Sequence, residues 1–257
     1  MNTHQKKFRS SSGNTVMRTL RRTALFISIT AFVSAFVSTA AAATIPGLFN
    51  TGTLNDGSLA GGGSVDLHYA LTASADPSST AFVTSTIPSG FWIANGPNSQ
   101  WIAPDPNQNF SGLGDSPGSY VYRLTFNLAG FDSTTASIAG QWAVDDIGQD
   151  IKVNGVSTGQ ITGSGISQSN FNTFHSFTIN SGFAAGINTL DFLVLNDPNN
   201  FGLNPTGLRV EFLSATASPV PVPVAAWLFG SGLMGLAAVA RRKRVSVVRK
   251  SNMNRVQ

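Results

Sequence analysis

Residues 120–128 read YVYRLTFNL, and this stretch decides the fold. Its large apolar residues recur at every second position, while Arg123, Thr125 and Asn127 stand between them. A period of two is typical of a strand with one face in a core and the other in solvent. The stretch therefore predicts a β-strand whose two tyrosines, Tyr120 and Tyr122, face the interior.

Further stretches predict more strands and a hairpin. Residues 65–72 and 138–144 show the same alternation, so each predicts a strand with one buried face. Residues 190–195 are apolar on both faces apart from Asp191 and predict a central strand, whereas residues 208–212 alternate apolar with charged side chains, as in an outer strand. Asn154-Gly155 follows an apolar segment, and this dipeptide favours a type I′ hairpin turn.

The composition agrees with an all-β fold. The chain is 42% hydrophobic and only 11% charged, with 26 Gly and 12 Pro, whereas helical surfaces need more Lys, Glu and Arg. Short strands and frequent turns without a helical period predict an antiparallel β-sandwich or jelly roll. The absence of Cys excludes disulfides, thiolate metal sites and a Cys nucleophile.

Charge is segregated along the chain. Residues 1–43 and 219–257 hold 13 of the 16 basic residues and no acidic ones. Residues 44–218 therefore carry three basic and 12 acidic residues, a net charge of −9. A surface of this sign repels a phosphate backbone, so the sequence predicts no nucleic-acid partner.

The N-terminus has the pattern of a signal peptide. A basic region ends at Arg21 and Arg22, and it is followed by an apolar run and then by small residues up to Ala43. This order predicts export, with residues 1–43 removed by signal peptidase. We place the cut after Ala43, with Ala41 as second choice, so that the mature chain begins at Thr44. An uncleaved anchor is the alternative, but the apolar run is shorter than a usual span.

The C-terminus has the pattern of a membrane anchor. Residues 224–240 contain 17 residues without a charge, about 25 Å as a helix, which is just enough to cross a bilayer. Prolines precede this stretch and a basic block, residues 241–244, follows it. The positive-inside rule keeps the basic block and the tail of residues 245–257 cytoplasmic, and it places residues 44–218 across the membrane.

Residues 220–244 read VPVPVAAWLFGSGLMGLAAVARRKR and resemble the PEP-CTERM sorting signals, most closely the VPLPA variant. The resemblance is carried by Val220, Pro221, Val222, Pro223, Trp227, Gly230, Ser231, Gly232, Arg241, Arg242, Lys243 and Arg244. Val222 and Val224 depart from the variant, the Glu of the commoner V-P-E-P form is absent, and 13 residues follow the basic block. The resemblance implies that residues 219–244 are recognised by an exosortase-type membrane protease. Cleavage near the Pro motif would then deliver the protein to the cell surface or extracellular matrix of a Gram-negative bacterium.

Residues 120–212 resemble the galactose-binding-like sandwiches, which include many carbohydrate-binding modules. The carriers are YVYRLTFNL, WAVDDIGQDIKVNGV, GINTLDFLVLND and GLRVEF, in that order along the chain. The resemblance implies a binding role more than a catalytic one, and it implies extracellular polysaccharide as a partner. Fold alone does not decide function, because ligand sites lie on loops that vary independently.

A long loop supplies the candidate ligand site. Residues 85–118 are rich in Pro, Gly and Asn and carry four large aromatic residues, Phe91, Trp92, Trp101 and Phe110. Exposed aromatic faces stack on sugar rings, so the loop predicts Trp92 and Trp101 as ligand-binding residues. Three amides offer hydrogen bonds to sugar hydroxyls: Asn95, Asn98 and Asn107. The alternative is that these aromatics pin the loop onto the sheet. Trp142, on an alternating strand, is predicted to lie in the core.

Hard oxygen ligands for Ca²⁺ occur in two groups, Asp145, Asp146 and Asp150, and separately Asn196 and Asp197. No EF-hand spacing organises them, and strand ends and Asx turns are the alternative explanation. We therefore predict no cofactor, with Ca²⁺ as the alternative hypothesis.

A catalytic role has little support. Residues 114–118 match the G-x-S-x-G nucleophile elbow, but Pro117 lacks the backbone N–H that the oxyanion hole needs, so the stretch predicts a turn. Only His68 and His175 remain in the mature domain, both predicted to be exposed, and Glu211 is its one Glu. The leading hypothesis is a non-catalytic, polysaccharide-associated surface protein. A structural or adhesive protein without a small ligand and a secreted hydrolase are the alternatives.

Overall fold

The computed structural model describes residues 41–109, 114–198, 204–221, 229, 231–237 and 241. The described residues form eleven strands and one short helix within the domain, α1, and residues 231–237 are also helical. Their bounds are β1 Ala43–Thr44, β2 Tyr69–Ala73, β3 Phe82–Val83, β4 Ile102–Ala103, β5 Gly118–Asn127, β6 Phe131–Asp145, β7 Ile147–Val153, β8 Val156–Ser157, α1 Gln168–Asn172, β9 His175–Ile179, β10 Ile187–Asn196 and β11 Gly207–Pro219. The prediction of an all-β fold is confirmed.

The strands form two antiparallel sheets that share one core. The first sheet has the order β3-β4-β11-β6-β9, with β1 also paired to β11, and the second has the order β2-β5-β10-β7-β8. Phe192 of the second sheet packs against Trp142 and Phe177 of the first, with ring centroids 5.9 and 6.1 Å apart. Burial of these inner faces is the main source of stability, since the chain has no Cys to form disulfides.

The alternating residues 120–127 lie in β5, as predicted. Tyr120, Tyr122, Leu124 and Phe126 are buried, and Thr125 is exposed on the other face. Residues 190–195 lie in β10, which is paired on both edges as predicted for a central strand. Asn154 and Gly155 have φ of 52° and 82° and join β7 to β8, which confirms the type I′ hairpin.

The prediction of an outer strand at residues 208–212 is wrong. The strand β11 lies between β4 and β6, and Arg209 and Glu211 are only 2% and 8% exposed. The two charges are tolerated because they satisfy one another beneath the loop of residues 85–101. Arg209 Nη2 lies 3.3 Å from Glu211 Oε1, and Arg209 Nε donates to Ser99 Oγ at 2.7 Å. Alternation with charged residues therefore marked a buried ion pair and not a solvated face.

The predicted strand at residues 65–72 is only partly correct. Strand β2 begins at Tyr69, while Val65 and Leu67 are exposed and Asp66 is buried. The reason is the Asp66 carboxylate, which accepts hydrogen bonds from the backbone N–H groups of Gly52, His68 and Tyr69 at 2.7–2.9 Å. A buried carboxylate needs such donors, and satisfying them turns the chain before β2 begins.

Both ends of the described domain meet at one place. Ala43 and Thr44 pair with Ala217 and Thr216, so the predicted cleavage point after Ala43 falls inside β1. The amide of Val220 then donates to the Gly130 carbonyl at 2.8 Å. The first strand and the start of the sorting segment therefore lie side by side.

Much of the predicted targeting sequence lies outside the described residues. This holds for residues 1–40 and, within the sorting segment, for Val222, Pro223, Trp227, Gly230, Arg242, Lys243 and Arg244. Ser231, Gly232 and Arg241 are helical and exposed. Within the part of the chain that is described, no helix has the length and apolarity needed to cross a membrane. Signal-peptide cleavage, the membrane helix and sorting stay predictions.

The long strands β6 and β11 separate two ends of the domain. Pro219 pairs with Phe131 at the end where the chain termini enter, which we call the terminal end. Gly207 pairs with Asp145 at the opposite end, which we call the distal end. The 15 residues of β6 span about 45 Å at the usual rise of a strand.

Candidate functional site

A polar pocket of 360 Å³ opens at the distal end, and we call it the Asp115 pocket. Three loops that follow β2, β4 and β10 meet there. Its walls contain three carboxylates, four amides and three prolines. These residues are Asp76, Asp105 and Asp115; Asn107, Gln108, Asn109 and Asn204; and Pro77, Pro104 and Pro205.

Asp76 ties the loop after β2 to the start of β5. Its Oδ1 accepts a hydrogen bond from the Ser116 amide at 3.0 Å, and its Oδ2 accepts one from the Tyr120 hydroxyl at 2.6 Å. Burial, followed by the hydrogen bond to Asp76, raises the pKa of Tyr120, so this hydroxyl stays a donor at neutral pH. The carboxylate therefore serves the fold as well as the pocket wall.

Asp115 is the most enclosed carboxylate of the pocket, with 8% exposure. Its Oδ2 accepts a hydrogen bond from the Thr206 amide at 3.0 Å, a donor that it shares with Gln108 Oε1 at 3.1 Å. Burial is the main cause and raises the pKa of Asp115 to about 7. The hydrogen bonds to Gln108 and to the Thr206 amide oppose it, and the charges of Asp76 and Asp105 add a smaller upward shift. The pocket thus holds a carboxyl group that titrates near neutral pH.

The raised pKa of Asp115 makes stability depend on pH. Between about pH 4 and 7 the folded chain keeps a proton that the unfolded chain releases, so the free energy of unfolding falls as pH rises. One such group changes it by at most about 1.4 kcal/mol per pH unit. We expect urea denaturation of the full chain at pH 5, 6 and 7 to show this fall, and Asp115→Asn to make it shallower. Equal slopes for the variant and the wild type would contradict this assignment, and Asp132→Asn, at the terminal end, should keep the wild-type slope.

Asp105 and Asn107 form the exposed rim of the pocket. The Asp105 carboxylate accepts a hydrogen bond from the Asn107 amide at 2.7 Å, which is an Asx turn. The Asn107 side-chain oxygen accepts one from the Thr86 hydroxyl. These rim residues can contact a ligand and can be replaced without emptying the core.

A second layer of polar groups lies beneath the pocket. The fully buried Asn196 donates from Nδ2 to the carbonyls of Asp115, Ser116 and Asn204 at 3.2–3.4 Å. Its Oδ1, and the hydroxyl of buried Tyr122, have no hydrogen-bond partner among the described residues. Buried polar atoms are normally paired, so these two atoms leave the layer beneath the pocket incompletely satisfied among the described residues.

The prediction that Trp92 and Trp101 present their faces to a sugar is wrong. They are 4% and 0% exposed and pack against each other, with ring centroids 4.2 Å apart. Trp92 Nε1 donates to Asp145 Oδ2 at 2.6 Å, and Trp101 Nε1 donates to the Ile93 carbonyl at 2.8 Å. The alternative is correct: the two rings pin the long loop onto the first sheet. Among the described aromatic residues of this segment, Phe91 is the exposed one, at 48%, and Phe110 lies outside the described residues.

The carboxylates proposed for Ca²⁺ mainly accept hydrogen bonds from the protein. Asp146 Oδ2 accepts from the Asp197 amide at 2.9 Å, and Asp150 Oδ1 accepts from the Gly159 amide at 3.2 Å. Burial, and then the neighbouring Asp146, raise the pKa of Asp145. Across the described residues, no group of three or more His, Cys, Asp or Glu side chains is arranged to hold a metal ion. The alternative explanation, turns and strand ends, accounts for these contacts.

The remaining candidates have structural partners. The G-x-S-x-G match is irregular, with a bend at Pro117 where a turn was predicted, and it leads into β5 at Gly118. The Ser116 carbonyl oxygen lies 2.7 Å from the Tyr120 hydroxyl oxygen. The two histidines are half-buried instead of exposed. His68 stacks on Phe49 with ring centroids 3.7 Å apart, and His175 Nε2 lies 2.9 Å from the Ser169 carbonyl. Neither histidine lines the pocket.

Comparisons with models of protein families, with curated proteins and with solved structures find no match to this chain. We therefore describe the class of this protein by its fold and its pocket. It is an all-β domain of two antiparallel sheets, with a carboxylate- and amide-lined pocket at its distal end.

Proposed function

We propose that this chain is an exported surface protein whose domain binds extracellular polysaccharide in the Asp115 pocket, without catalytic turnover. The observation that carries the proposal is the lining of the pocket. Carboxylate and amide side chains are planar hydrogen-bonding groups that pair with sugar hydroxyls, and proline rings offer apolar walls to the C–H faces of a sugar. A volume of 360 Å³ falls in the usual range for small-ligand pockets, about 300–1,000 Å³.

The position of the pocket supports the same proposal. Both chain ends enter the domain at the terminal end, where the predicted sorting segment begins after Pro219. A domain held to a membrane or a cell surface through that segment would direct its distal end, and therefore the pocket, away from the attachment point. The resemblance to galactose-binding-like sandwiches and to PEP-CTERM signals supports an extracellular, polysaccharide-associated role, with an exosortase-type protease as the processing partner.

The rim residues give the sharpest test of this function. We expect the double variant Asp105→Ala with Asn107→Ala to bind saccharides roughly ten-fold more weakly than the wild type, because it removes hydrogen-bonding groups without touching the core. The measurement is a glycan array followed by titration of the full chain in a detergent without a sugar headgroup.

Asp132→Ala is the matched control. Asp132 is an Asx-turn residue like Asp105, with its carboxylate accepting from the Thr134 amide at 3.0 Å, but it lies at the terminal end. It should leave the dissociation constants unchanged. If the rim variant bound as tightly as the wild type, or if the wild type bound no glycan and no polysaccharide from the producing cells, the proposed function would be wrong.

A further inference from the structure

We propose that the Asp115 pocket selects saccharides that carry a free ammonium group, that is, amino sugars without an N-acyl group, over neutral and acidic sugars. This inference rests on the proposed function, because it names the class of saccharide that the same pocket takes. It is carried by the charge of the pocket wall, by the positions of the basic residues, and by the unpaired acceptor beneath the floor.

The carboxylates of the pocket have no cationic partner. The described lining contains Asp76, Asp105 and Asp115 and no Lys or Arg. The neighbouring segments that the structure does not describe, residues 110–113 and 199–203, contain no charged residue in the sequence. The charged side chains of the described lining are therefore all acidic.

The basic residues of the domain are committed elsewhere. Residues 44–218 contain three, Arg123, Lys152 and Arg209. Arg123 is paired with Asp191, with 2.6 Å between Nε and Oδ1, and Arg209 is buried with Glu211 under the long loop. Lys152 lies on β7, away from the loops that line the pocket. None of these three basic residues neutralises the carboxylates of the pocket. We therefore infer that the ligand supplies the positive charge.

The hydrogen bonds within the wall leave this charge in place. Asp76 accepts from an amide and a phenol, and Asp115 accepts from an amide, and all of these donors are neutral. Beneath the floor, the fully buried Asn196 Oδ1 is an acceptor without a partner among the described residues. The site therefore has an excess of acceptors. An ammonium group, with three donors and a positive charge, matches it, whereas a carboxylate on the ligand would add like charge.

The titration of Asp115 gives a second observable. Burial raises its pKa to about 7. The charged and polar groups that interact with it are Asp76 after β2, Asp105 and Gln108 after β4, Tyr120 and Tyr122 on β5, Asp145 on β6, and the Thr206 amide. A bound cation favours the ionised carboxylate, so ammonium binding near pH 6.5 should release a proton from Asp115. Calorimetry in two buffers of different ionisation enthalpy measures this release, and Asp115→Asn should remove it.

The test uses the full chain and four probes: a glucosamine trimer, its N-acetylated counterpart, a uronic acid trimer and spermidine. We expect the glucosamine trimer to bind roughly ten-fold more tightly than the N-acetylated trimer, the uronic acid trimer to show no binding, and spermidine to bind more weakly than the amino trimer. Asp105→Asn keeps an oxygen for the Asn107 amide but removes a charge, so it should erase most of the preference. Asp132→Asn, the matched control, should retain it.

The outcomes separate this inference from the function on which it rests. Equal or tighter binding of the N-acetylated trimer, or binding of the uronic acid trimer, would overturn the selectivity while leaving polysaccharide binding intact. Spermidine binding as tightly as the amino trimer, or Ca²⁺ displacing the trimer, would overturn the saccharide assignment of the pocket. The absence of binding to any saccharide would overturn both.

Discussion

Replacing Trp101 by Ala is expected to lower the free energy of unfolding by about 3–5 kcal/mol, the usual cost of emptying a large buried aromatic site. Trp101 has no exposed surface, stacks on Trp92 and donates to the Ile93 carbonyl. The variant would lose its apolar contacts and would also leave that carbonyl without a partner. Urea denaturation of the full chain, followed by circular dichroism, measures the change.

Phe91→Ala is the matched control for Trp101→Ala. It removes an aromatic ring from the same loop, but from a position that is half exposed, so we expect a loss below about 1 kcal/mol. A Trp101→Ala midpoint equal to the wild type would show that the ring is not a core residue. The comparison also has a practical consequence: lost sugar binding in Trp101→Ala would report unfolding of the loop and not a lost ligand contact.

Replacing Arg209 by Met is expected to cost about 3–5 kcal/mol, because it leaves the Glu211 carboxylate buried without its cation. Arg209 is held on several sides: it donates to Ser99 Oγ and to the Ala94 carbonyl, and its guanidinium lies 4.9 Å from the centroid of the Phe174 ring. The change would therefore loosen the long loop as well as β11. The shift of the urea midpoint, at unchanged slope, measures it.

The double variant Arg209→Met with Glu211→Leu separates the two causes. If the cost comes from an unpaired buried charge, removing both charges should restore part of the lost stability. Lys152→Met, which removes a cation that has no ion pair among the described residues, should cost less than about 1 kcal/mol. An Arg209→Met variant no less stable than Lys152→Met would contradict the buried network.

The strands and the hairpin turn could be predicted from the sequence wherever a local pattern of residues determines the structure. The alternation of residues 120–128, the apolar run of residues 190–195 and the Asn154-Gly155 turn are local patterns, and each corresponds to a structural element. Arg209 and Asp66 could not be placed in this way. Their burial depends on partners far along the chain, Ser99 for Arg209 and Gly52 for Asp66, which no local period reveals.

The candidate site was the harder part to predict. Aromatic residues on a loop predict sugar stacking by Trp92 and Trp101, but the loop packs against the first sheet and buries both rings. Among the residues that line the pocket, only Asn107 is predicted from the sequence to contact a ligand. A weak signal is present in three Asx-Pro dipeptides that lie in the loops of the pocket: Asp76-Pro77, Asp105-Pro106 and Asn204-Pro205. Such dipeptides favour turns, yet nothing in the sequence shows that these three turns converge.

Saccharide binding in the Asp115 pocket is tested most directly by a crystal structure of the chain with the tightest ligand from the glycan array. We expect sugar density in this pocket, with hydrogen bonds to Asp105 and Asn107 on the rim and a ring packed against the proline walls. Sugar bound at the exposed ring of Phe91 or on any other face, with the Asp115 pocket holding only solvent, would contradict it.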